Sequence, residues 1–222
     1  MRPDKKEKII GVRKLNMREN LIFMAASLIA GVLCMILHEV PKVMFYRRYI
    51  RKKSIAELMI TTYGKVNPVH FIDPIGLLFC IMFRIGFSKP SYYRMKDKDL
   101  NCKLAITGLL SLLVQFLGLI SILRFGLGMD VNLSIPTHSS FFFEFLMYFL
   151  ASYAIICVGM LLTNLFPLLS MDMGWVLTSQ SPMKFTILLK SDFLIKMIWI
   201  LLVILGILPE ICVTIFQLFM SI

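Results

Sequence analysis

Long uncharged runs constrain this chain before any motif does. Residues 21–37, 104–123 and 145–169 contain no Asp, Glu, Lys or Arg, and each is near the ~20 apolar residues that carry a helix across a hydrocarbon core. Residues 193–222 form a fourth run, interrupted only by Lys196 and Glu210, and residues 74–83 a shorter one. With 58% hydrophobic residues, 17% charged residues and a mean hydropathy of +0.80, too little polar surface remains to clothe a water-soluble domain. The expected fold is an all-α polytopic membrane protein with about five transmembrane or partial transmembrane helices, the short run being a partial or re-entrant crossing.

The net charge of +11 does not point to nucleic acid. The 24 Lys and Arg gather in short segments between the apolar runs, as membrane topology requires, so membrane lipids are the expected partners. Residues 1–20 are basic from Arg2 to Arg18, residues 47–65 and 88–103 are basic too, and residues 126–140 carry no Lys or Arg. The last loop is therefore expected outside. The positive-inside rule places the N-terminus in the cytoplasm, but the equally basic 47–65 contradicts it from the other end of the first helix. If residues 74–83 do not cross, 47–65 and 88–103 can share the cytoplasmic side. No small-residue cleavage site follows the first run, so that run is expected to remain in the mature chain. The organisation is a basic segment over 1–20 and one membrane domain over 21–222. Cys34, Cys80, Cys102, Cys157 and Cys212 show no Cys-x-x-Cys spacing and read as small core residues.

Local signals place the polar residues. The first helix should run past Leu37 through His38 and Glu39 towards Tyr46, with a kink or break at Pro41, because proline removes an amide donor and clashes one turn back. His38 and Lys42, four apart, share a face if the helix persists. Near residues 54–71 the periodicity is weak, with Ile60-Thr61-Thr62 and turn signals at Tyr63-Gly64 and Asn67-Pro68, which suits an irregular or short β segment. Asp73-Pro74 suits a helix start, Asp as cap and Pro as first helical residue. The run 145–169 leads into Asn164, Pro167 and Asp172, and polar groups at membrane depth line a site by default.

His38-Glu39-Val40-Pro41-Lys42 is one substitution from His-Glu-x-x-His, in which two imidazoles a turn apart hold zinc and the glutamate activates a water. Alone, the pair reads as two polar residues at a helix end reaching for the interface. Three further blocks change that reading. Asn67-Pro68-Val69-His70-Phe71-Ile72-Asp73-Pro74-Ile75-Gly76 resembles the Asn-Pro-x-x-His-Ile-Asp-Pro-x-Gly block of the site-2 protease family of intramembrane zinc metallopeptidases, in its short bacterial branch. Gly86-Phe87-Ser88-Lys89-Pro90 resembles that family's Gly-Trp-Ala-Lys-Pro, and Asn164-Leu165-Phe166-Pro167 leading to Met171-Asp172 resembles its Asn-Leu-x-Pro-x-x-x-Leu-Asp-Gly. The blocks stand in the family's order from His38 to about Leu177.

The resemblance implies a multi-pass protein of a bacterial cell membrane, with zinc as cofactor if active, His38 and Asp172 as metal ligands and Glu39 as catalytic base. It also implies a transmembrane protein as substrate or client. Departures fall on the chemistry. Lys42 stands at the second histidine, and a protonated ammonium cannot ligate a metal. Met173 replaces the glycine after the aspartate, and Thr107-Gly108-Leu109-Leu110-Ser111-Leu112 resembles the family's Ala-Gly-Pro-x-x-Asn turn without its Pro and Asn. His70 reads as a structural hydrogen-bonder rather than a ligand, Asp73 as a cap rather than a catalyst, and Asn164 as a further site residue. Three readings stand: a catalytically degenerate relative that binds or regulates membrane proteins, an active zinc endopeptidase with an atypical ligand set, and a structural membrane protein with a remnant polar site, with zinc then absent. Lys42 is expected either to replace the metal's charge beside Asp172 or Glu39, or to snorkel to the headgroups.

Overall fold

The computed structural model describes residues 17–52, 68–89, 98–127 and 141–221, with helices α1 (Met17–Lys52), α2 (Pro74–Phe83), α3 (Lys98–Ser121), α4 (Phe141–Leu165), α5 (Asp172–Gln180), α6 (Pro182–Ile204) and α7 (Ile207–Ser221). No strand occurs among the described residues. Three helices, α1, α3 with its π-helical continuation Ile122–Gly126, and α4, are long and apolar enough to cross a membrane, and α6 with α7 makes a fourth span if the bent pair is counted as one. The chain is an all-α membrane protein. Of the segment expected to be irregular or β near 54–71, only Pro68–Phe71 is described, and it is a single 3-10 turn rather than a strand.

α1 and α4 run parallel, in contact along their length. Arg18 meets Glu144 at 3.9 Å, Phe23 meets Tyr148 edge-on, Ser27 Oγ donates to Ser152 Oγ at 3.3 Å, and the Cys34 and Cys157 thiols lie 3.5 Å apart. Small residues at this seam, Ala26, Ala30 and Ala154 among them, are fully buried and let the two backbones approach, which replaces the hydrophobic drive that lipid does not supply. α3 lies against both, with Tyr153 donating to Gln115 at 2.9 Å. Four of the five cysteines are buried, as core residues would be.

Pro41 does not break α1, which is one helix from end to end. The expected break is absent because packed neighbours in a membrane bundle tolerate a proline that an isolated helix would not.

α2 is half of a re-entrant hairpin. Its start is fixed by Asp73, whose Oδ1 accepts from the amides of Ile75 and Gly76 at 2.9 Å each. It ends at Arg84, in the left-handed conformation (φ 58°), and residues 85–89 then return as extended chain until the Lys89 amide donates to the Phe71 carbonyl at 3.0 Å. Close approach demands glycine on both limbs. A Cβ on Gly76 would lie 2.1 Å from the Phe87 carbonyl oxygen, and one on Gly86 2.1 Å from Cys80 Sγ. The hairpin enters and leaves at one end of the bundle, so α1's Arg47–Arg48 end and the start of α3 share that end. Met17 and the start of α4 occupy the other, where Arg18 meets Glu144.

The last apolar run is not a single straight helix. α6 and α7 meet at 64° across Leu205 and Gly206, where φ is +77°. Glycine reaches that region without steric cost. Trp199 pegs α6 to the hairpin, its ring 5.5 Å from Phe79 and 5.8 Å from Phe87.

Candidate functional site

Four side chains, three from α1 and one from the start of α5, converge where α1, α3 and α5 meet. Lys42 Nζ donates to Glu39 Oε1 and to Asp172 Oδ1, both at 2.9 Å. His38 Nε2 lies 3.3 Å from Asp172 Oδ2 and 3.6 Å from Glu39 Oε1, without the alignment of a hydrogen bond. All four are buried, His38 at 0% and Glu39 at 1% exposure. That burial decides between the two expectations for Lys42: its ammonium does not reach for headgroups but stands between two carboxylates.

α1 presents these residues because an unbroken helix keeps positions 38, 39 and 42 on adjoining faces. Asp172 arrives by another route. The expected helix over 145–169 ends at Leu165, residues 166–171 make a tight turn, and Asp172 opens α5 instead of closing α4. The turn is held by the Leu168 amide donating to the Phe166 carbonyl at 2.8 Å and the Met171 amide donating to the Leu168 carbonyl at 3.0 Å. From outside, the Leu169 amide donates to Asp192 Oδ1 and the Trp175 indole to the Leu169 carbonyl, both at 3.1 Å. Asn164 is anchored through its Nδ2 to the Met160 carbonyl at 2.9 Å, and its Oδ1 accepts from the Asp172 amide at 3.5 Å. A carboxylate in a first helical turn also sits favourably with the helix dipole.

Two further residues wall the cluster. Ser88, on the returning limb of the hairpin, donates to Glu39 Oε1 at 2.8 Å, so the re-entrant element closes one side of the cluster. Gly108 of α3 forms the opposite wall, where a Cβ would stand 2.3 Å from Asp172 Oδ2, 2.5 Å from Lys42 Cε and 3.0 Å from His38 Cε1. Ser111, one turn on, donates to the Gly108 carbonyl at 2.7 Å and reaches the His38 carbonyl at 3.5 Å. Ser88 and Gly108 lie within the blocks quoted above, but their letters alone say nothing of facing α1.

Asp73 is the helix cap of α2 and takes no part in the cluster. His70 is exposed on its 3-10 turn, and the four-residue cluster forms without it.

His38 and Asp172 bring a nitrogen and an oxygen together, and the Lys42 ammonium beside them donates hydrogen bonds and cannot ligate a metal. Among the described residues no group of three or more His, Cys, Asp and Glu is arranged to hold a metal ion. Chemically the arrangement is an internal ion pair of two carboxylates around one ammonium, with imidazole alongside. No family model, curated protein or solved structure matches the chain.

Proposed function

We propose that this chain is a site-2-protease-like protein of a bacterial cell membrane that has lost zinc-dependent hydrolysis and uses the remaining framework to bind or regulate another membrane protein. The observation that carries the reading is the placement of Lys42 Nζ, 2.9 Å from both Glu39 and Asp172. In the resembled site these carboxylates would serve as base and ligand to a zinc-activated water. Here both are engaged by a fixed ammonium, which supplies the positive charge a metal would otherwise give. Glu39 receives Lys42 and Ser88 on the same oxygen, so that oxygen is already committed to two donors. The hairpin, with Ser88 at the cluster, keeps the framework around the site intact although its hydrolytic chemistry is gone.

The test has two arms. Elemental analysis of detergent-purified protein is expected to find no stoichiometric zinc in the parent and zinc in Lys42→His, which rebuilds a three-ligand set. A transmembrane reporter co-expressed with the parent should remain uncut. Zinc-dependent cleavage by the parent, lost in Glu39→Gln, would refute the proposal in favour of an active endopeptidase. Co-purification of a discrete membrane protein, weakened by substitutions on the hairpin, separates a binding role from a purely structural one.

A further inference from the structure

We infer that Arg84 forms a phospholipid phosphate site in the leaflet opposite the Lys42 cluster. Arg84 occupies the tip of the re-entrant hairpin, partly exposed, and its guanidinium carbon lies 4.7 Å from the centroid of the Phe23 ring on α1. Phe23 packs edge-on against Tyr148 of α4. Among the described residues no carboxylate and no side-chain acceptor meets the guanidinium. Its main chain is committed inward: the Arg84 amide donates to the Cys80 carbonyl at 3.0 Å, and the Arg84 carbonyl oxygen would lie 2.5 Å from a Cβ on Gly159.

Two features argue that the side chain has a use. The residue's φ of 58° belongs to the left-handed region, where glycine or asparagine is the ordinary choice and a longer side chain carries a steric cost. A cation at membrane depth is costly unless an anion answers it. The ring of Phe23 answers only in part, through its quadrupole.

Depth names the anion. Phe23 lies about 7.5 Å along α1 from Arg18, at ~1.5 Å per residue, and Arg18 pairs with Glu144 at the end of the bundle remote from Lys42. Arg84 therefore stands just inside that boundary, within reach of the headgroup layer for a side chain of its length. A phosphate diester there accepts from the planar guanidinium at two oxygens. The partial exposure of Arg84 lets such a headgroup approach from the bilayer, with the Phe23 ring fixing the plane of the fork.

The experiment is lipid retention and stabilisation of the full chain, extracted from vesicles of phosphatidylcholine with a minority of phosphatidylglycerol and read by native mass spectrometry and by unfolding temperature. Arg84→Gly is the informative variant, because it removes the guanidinium while suiting the left-handed backbone, so the fold is protected. Retention of phospholipid is expected to fall about tenfold in that variant, to be largely kept in Arg84→Lys, and to fall partway in Phe23→Leu. Millimolar inorganic phosphate should not displace the lipid. Equal retention by the parent and Arg84→Gly overturns the inference. Displacement by inorganic phosphate makes this a free-anion site and overturns it too, as does cross-linking of Arg84 to a carboxylate of a co-purified polypeptide.

Discussion

The Lys42 cluster predicts an unequal and non-additive mutational cycle. At 2.9 Å from each carboxylate, the ammonium gains about 6 kcal/mol per contact for an effective dielectric of about 20. Most of that is offset by withdrawing three charges from solvent. The informative quantity is what each deletion strands. Lys42→Met keeps the length of the side chain and leaves two buried anions facing each other, for an expected loss of about 3–5 kcal/mol. Asp172→Asn strands less, because Lys42 keeps Glu39 at 2.9 Å, and about 2–3 kcal/mol is expected. In the double variant the surviving Glu39 still receives Ser88 at 2.8 Å, so its loss should stay near about 3–5 kcal/mol rather than the about 5–8 kcal/mol of a simple sum. Reversible unfolding in mixed detergent micelles, followed by helical circular dichroism, measures all four corners. Additivity within about 0.5 kcal/mol would show that the two charges are not coupled and would remove the argument that Lys42 stands in for a metal.

Gly108→Ala should destabilise by about 1–3 kcal/mol in the same unfolding assay, since its Cβ would stand 2.3 Å from Asp172 Oδ2; in the Lys42→Met/Asp172→Asn background the loss should shrink only if the cluster can shift away from α3. Asp73→Ala removes the two bonds that cap α2 and is expected to cost about 1 kcal/mol without altering lipid retention at Arg84. Single cysteines at positions 47 and 103, in a background free of the five native ones, should react with an impermeant maleimide from one face of sealed vesicles and a cysteine at 141 from the other. Labelling of 47 and 103 from opposite faces would mean that the hairpin crosses the bilayer after all.

What the sequence made legible was local or motif-bound. The pairing of Asp73 with Pro74 announced a capped helix because the cap's partners are the next few amides. The face shared by His38 and Lys42 followed from helical spacing, and the order of the quoted blocks brought Asp172 towards them. Where no short-range signal exists, the reading failed. Residues 145–169 are uncharged throughout, so the absence of charge does not mark the end of α4 at Leu165; the turn around Pro167 is held by Asp192 and Trp175 from later helices. Residues 193–222 likewise carry no signal in their hydropathy for the 64° bend between α6 and α7. At Pro41 the helix continues without the break that a propensity rule drawn from isolated helices allows, because that rule overlooks the packing around α1.

The same distinction explains why the cluster's walls were not foreseen. Ser88 and Gly108 act on α1 through tertiary placement, Ser88 from 49 positions downstream of Glu39, and neither letter is chemically unusual. Their importance lies in what they permit. Gly108 leaves the room into which His38, Lys42 and Asp172 crowd, and Ser88 gives Glu39 a second donor on an oxygen it already offers to Lys42. An ammonium reaching two carboxylates at 2.9 Å therefore depends on three elements besides α1: the re-entrant hairpin, α3, and the turn into α5. If substitution of Lys42 by histidine is to recover metal binding, those elements must be permissive as they stand, since histidine is shorter than lysine and must draw Asp172 towards the helix. Zinc uptake by Lys42→His that is abolished by Gly108→Ala, and retained by Ser88→Ala, would place the spatial constraint on α3; uptake indifferent to Gly108→Ala would show that the cluster is looser than its distances imply.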